Sequence, residues 1–238
     1  MRDLIFVVLG VFDAFAALFL ILKLYMLPVR EYMAKILIFT AFIAVVSYVM
    51  RIILKQPSYD LPLQYLLFIL FLRTGLKIKF HLASFIAGTG ICAYALLQVV
   101  VYYFYTWTHL IDAEVLTATG GFYVYLLQIT SILLVYAICW LFERYSLGFS
   151  FIIVPPHDFL VKEDYFTNRN LLIVIGSIAS LSTISITILL LYKSNTIALL
   201  AVEAVTLGLS FYFSRWSDRD DIRRAIEAYR RKDKEARS

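Results

Sequence analysis

Thr196–Phe213 (TIALLAVEAVTLGLSFYF) is an unbroken apolar run with one carboxylate, Glu203, and it gives way to Ser217–Ser238 (SDRDDIRRAIEAYRRKDKEARS), which is too polar to enter hydrocarbon. A chain with such a boundary has a membrane anchor and a water-facing tail. The excess of Arg and Lys in that tail predicts a cytoplasmic C-terminus.

The rest of the chain conforms to that anchor. With 62% apolar and 16% charged residues and a mean hydropathy of +0.82, there is too little polar surface to coat a soluble globule of 238 residues. Nine of the 22 Lys and Arg follow Phe213, so the basic balance belongs to a tail and loops, and nucleic acid is not an expected partner. Cys92 and Cys139 each lie within an apolar run and read as neither a disulfide nor a metal pair.

Seven apolar spans can be laid out, at about 4–22, 34–50, 61–76, 80–105, 122–142, 171–192 and 196–213. The reading is all-α, a polytopic membrane helical bundle in residues 1–216 followed by a charged cytoplasmic amphipathic helix in 217–238. No segment alternates with the period of an outer-membrane strand. Ala14-Phe15-Ala16 resembles a leader cleavage site, but Asp13 interrupts the stretch and hydrophobicity resumes through Leu22, so the segment reads as a span. The third span is the weak one, and six spans are the alternative. With the N-terminus outside, eighteen Lys and Arg fall inside and four (Arg2, Arg51, Lys55, Lys193) outside, as the positive-inside rule predicts for seven spans. Arg51 and Arg73 read as snorkelled anchors near the interfaces. Tyr145–Asn170, with Pro155-Pro156 and four phenylalanines (Phe149, Phe151, Phe159, Phe166), reads as an interfacial loop.

Helix association inside lipid depends on close approach and polar contact. Ser84, Gly88, Cys92 and Ala95 form one small-residue stripe, and Gly176, Ser180, Thr183 and Thr187 another. Both read as helix-contact faces, with a hydrated path along the serine-rich sixth span as the alternative. Asp13 and Glu203 lie well inside their spans, roughly 10 to 14 Å from one surface at 1.5 Å per residue. An ionised acid there costs at least ~2.5 kcal/mol, so each is expected to face the protein interior. Gln98 and Gln128 fall in the same half. The four residues together predict a shared polar cavity for a ligand or an ion.

Enzyme chemistry is not indicated: HExxH, GxSxG, a phosphate-binding glycine loop and a DxxxD pair do not occur. His81, His109 and His157 fall at span ends or in loops, away from any mid-membrane haem position, and no cofactor is expected. His81 and Cys92, eleven residues apart on a helix, stand about 16 Å apart, beyond hydrogen-bond reach.

In the tail, Ser217 and Asp220 fit a capping box, which predicts that a new helix starts there. Ile222, Ile226 and Tyr229 share a narrow apolar face beside a ladder of Arg223, Glu227, Arg231 and Glu235. Eight basic and six acidic residues leave a net charge of +2, favouring a protein partner or a second copy over purely electrostatic binding to lipid.

This layout, a loop-poor bundle leading straight into a charged helix, and above all the stretch from Leu61 to Asn170 with VPPHDF and KEDYF in its inner loop, resembles the membrane sensor half of Agr-type peptide-sensing histidine kinases of Gram-positive bacteria. The resemblance implies a receptor for a peptide or small hydrophobic ligand. After Phe213 this sequence has no histidine to accept a phosphoryl group, so a sensor of this kind would signal through a membrane or cytoplasmic partner, or simply bind and sequester. The competing expectation is a transport or channel subunit that uses Asp13 and Glu203 for a proton or cation. Inverted repeats and Gly/Pro-broken helices, common in transporters, are not evident.

Overall fold

The computed structural model describes residues 2–111, 121–152, 168–192 and 195–237, and among them every regular element is helical. Seven α-helices follow in order: α1 (Arg2–Leu24), α2 (Met33–Tyr48), α3 (Asp60–Gly75), α4 (Phe80–Trp107), α5 (Phe122–Arg144), α6 (Asn168–Tyr192) and α7 (Thr196–Arg237). A π-helical turn, Val49–Ile53, extends α2.

Six of the described helices are long and apolar enough to cross a membrane, and the chain is therefore an integral, multi-pass membrane protein. The expected third span falls short: α3 has 16 residues, about 24 Å of helix against ~30 Å of hydrocarbon. It nevertheless keeps the antiparallel alternation. Asp60 at its start bonds the end of α2, and the Gly75 carbonyl at its end accepts a hydrogen bond from Lys35 Nζ, near the start of α2, at 3.3 Å.

α4 is the central helix. It packs against α1, α3, α5, α6 and α7, and 61% of its most apolar window is buried, against 33% or less in the other spans. Small residues make this possible. A Cβ added at Gly88 would stand 2.4 Å from Ser180 Cβ, one at Gly176 would stand 2.5 Å from the Phe85 ring, and one at Gly90 would stand 2.0 Å from Ile21 Cγ1. The two small-residue stripes thus meet each other at the α4–α6 contact, as close-approach faces do in lipid.

Two expectations are corrected at the end of the bundle from which the tail leaves, here called the tail end. The polar tail does not begin a new helix at Ser217, because α7 runs unbroken for 42 residues, about 63 Å. Neither Pro nor Gly occurs after Gly208, and Ser217 is buried in the helix rather than free to cap one. The start of the expected interfacial loop also turns inward. Phe151 is fully buried, with its ring 5.9 Å from Tyr25 and 6.4 Å from Phe85, and the Phe149 amide donates to the Leu24 carbonyl at 2.8 Å. Phe159 and Phe166, with the VPPHDF and KEDYF stretches, lie outside the described residues.

Candidate polar site in the helical bundle

Asp13 reaches the centre of the bundle because α1 lies close on α4, the Gly90–Ile21 approach bringing the two backbones together. The Tyr94 hydroxyl donates to Asp13 Oδ1. The Gln128 amide approaches the same carboxyl from α5, and the Gln98 amide approaches the Tyr94 hydroxyl from one turn along α4. Three of the four residues expected at one site, Asp13, Gln98 and Gln128, therefore do assemble, and their hub is Tyr94. The tyrosine was legible in principle: Tyr94 and Gln98 stand at i, i+4, a pairing that places two polar groups on one helix face.

Glu203 is not a member of this cluster. The Thr187 hydroxyl of α6 donates to its Oε1 at 2.6 Å, and the Cys92 thiol of α4 faces it, while its buried Oε2 has no hydrogen-bond partner among the described residues. Cys92 and Tyr94 are two residues apart on α4 and project about 200° apart at 100° per residue. The two acids approach α4 from opposite sides, so the expected shared cavity is replaced by two separate polar sites. Similar depth, which the spans do supply, carries no information on azimuth.

A third carboxylate was missed. Asp60 is fully buried and accepts hydrogen bonds from Ser47 Oγ at 2.9 Å, from Gln64 Nε2 at 3.1 Å and from Arg51 Nε. The π-helical turn, in which the Leu54 amide donates to the Val49 carbonyl at 2.8 Å, places Arg51 at this carboxylate. Such turns often occur at functional positions. Arg51 is thus an ion-pair partner with a half-exposed side chain rather than a purely snorkelled anchor.

Beside this region α1 and α5 splay to leave an apolar groove of about 480 Å³, lined by residues that include Leu4, Val8, Leu9, Phe122, Tyr125 and Ile129. At the tail end, Asp218 Oδ1 accepts from the Ser150 amide at 2.9 Å, the Ser150 hydroxyl at 3.2 Å and the Phe151 amide at 2.7 Å. This carboxylate fastens α7 to the inward-turned segment. Ile222, Ile226 and Tyr229 are 58%, 48% and 74% exposed, so that face of the tail has no cover among the described residues. Among the described residues no group of three His, Cys, Asp or Glu is placed to hold a metal ion. Comparison with protein-family models, curated proteins and solved structures finds no match to this chain.

Proposed function

We propose that the protein is a non-enzymatic membrane sensor or signalling-accessory protein. A small hydrophobic ligand or peptide with a hydrogen-bonding group enters at the α1–α5 groove from the outer side of the membrane. The Asp13, Tyr94, Gln98 and Gln128 cluster receives its polar group, and α7 carries the outcome to a protein partner through Ile222, Ile226 and Tyr229. The observation that supports this reading best is the continuity of α7, one helix that begins in the bundle, is fastened by Asp218 as it leaves, and ends in an apolar face exposed among the described residues. A transport or channel role finds its support in the buried hydroxyls around Glu203. The unbroken α7 and the separation of the two acids weigh against it.

A photo-crosslinking residue placed at Tyr229 in the full chain, in native membranes, tests the proposal. The expected result is a discrete protein adduct whose yield changes in Asp13→Asn. Adducts to lipid alone would contradict it.

A further inference from the structure

Glu203 is the head of a row. On the same face of α7 stand Thr206, Ser210, Ser214 and Ser217, spaced by three, four, four and three residues, and all five side chains are buried, between 0% and 6% exposed. The row covers fourteen residues, about 21 Å, from the middle of the helical bundle to the tail end. In the opposite direction it stops: Leu199 fills the next buried position, and Thr196 is engaged by the Tyr103 hydroxyl at 2.8 Å. The polar face of α7 is therefore one-sided.

The groups facing this row are themselves polar. Thr183 and Thr206 hydroxyls meet at 2.6 Å, and Tyr25 and Ser214 at 3.3 Å. On the same helix as Thr183, Ser180 is also fully buried, against Gly88 of α4, and its Oγ has no partner among the described residues. Around Glu203 itself α6 contributes Thr187 and α4 contributes Cys92, and among the described residues no cation faces the carboxyl from either helix. An ionised carboxylate met only by two neutral donors, the Thr187 hydroxyl and the Cys92 thiol, is costly in this setting. Among the described residues the second oxygen, Oε2, has no hydrogen-bond partner.

We propose that Glu203 is a proton-binding site whose proton exchanges with the tail end of the bundle along Thr206, Ser210, Ser214 and Ser217. On release the O–H bond at Oε2 breaks, its electron pair stays on the carboxylate, and the proton passes to the next hydroxyl as that hydroxyl passes its own proton onward, until Ser217 hands a proton to bulk water at the tail end. Neighbours one turn apart have Cβ atoms ~5–6 Å apart, a spacing that one bridging water spans. Thr187 remains to stabilise the carboxylate at Oε1. The site is independent of any ligand at Asp13, because it lies on the other side of α4.

A hydrophobic carbodiimide tests this, since it adds only to a protonated carboxyl and leaves a stable N-acylurea that peptide mass spectrometry locates. The full chain is reconstituted in vesicles, the side bearing residues 217–238 is assigned by protease, and the pH of each side is varied alone. Glu203 should be modified, and the rate should fall about tenfold per pH unit above its midpoint, the slope of one ionisation, when the tail side is made alkaline. Alkali on the other side should leave the rate unchanged. Ser210→Val with Ser214→Val should remove the response to tail-side pH, and Ser210→Ala alone should slow it if the double variant does not fold. An unmodified Glu203 in folded protein, a rate indifferent to pH on both sides, or a response from the Thr196 side would overturn the proposal.

Discussion

Asp60 and Glu203 are both buried in the helical bundle, yet they are supported in opposite ways. Asp60 has three donors, one of them the Arg51 guanidinium, whereas Glu203 meets the Thr187 hydroxyl and the Cys92 thiol and, among the described residues, no cation. The first arrangement is an ion pair that ties α2 to α3. The second supplies no opposite charge and leaves one oxygen unbonded. A buried carboxylate is therefore not one kind of feature, and what surrounds it decides whether it is a brace or an exchangeable group.

The strongest way to break this contrast is to remove a partner from each side. Arg51→Met should lower stability by about 2–4 kcal/mol in a denaturant or steric-trapping measurement, because it leaves the fully buried Asp60 without its cation. A loss below ~1 kcal/mol would mean that solvent already screens the pair. Next in size is Gly90→Ala, whose added Cβ must displace Ile21 and loosen the α1–α4 contact that presents Asp13, with an expected loss of ~1–3 kcal/mol. Glu203→Gln should change stability by less than ~1 kcal/mol, since an amide keeps the acceptor that Thr187 uses, whereas Asp60→Asn should cost ~1.5–3 kcal/mol. Equal effects of these two substitutions would erase the distinction. Smallest of all, Ile222→Asp with Ile226→Asp should leave the fold within ~0.5 kcal/mol because both side chains are exposed, while abolishing association through the tail.

The sequence made the helices legible because hydrocarbon leaves so few choices for a backbone. Span lengths and turns followed from apolar runs and charges, and the two small-residue stripes at Gly88 and Gly176 were readable because only close packing rewards them. Lateral placement was not readable. Asp60 falls between two apolar spans, and nothing local shows that a π-helical turn would aim Arg51 at it. Asp13 and Glu203 could be assigned a depth by counting residues, but their azimuths depend on how α1 and α7 rotate against α4. Ser217 failed as a cap signal because tertiary packing buries it in the continuing helix.

That Asp13 and Glu203 belong to separate sites is the claim on which both the ligand and the proton readings depend. A double-mutant cycle measures it directly, with Asp13→Asn and Glu203→Gln made singly and together in the full chain and unfolding free energy as the readout. The predicted result is additivity within ~0.3–0.5 kcal/mol, alongside clear coupling between Asp13→Asn and Tyr94→Phe, whose side chains share a hydrogen bond. A coupling of about 1 kcal/mol or more between Asp13 and Glu203 would place both acids in one network and contradict the account.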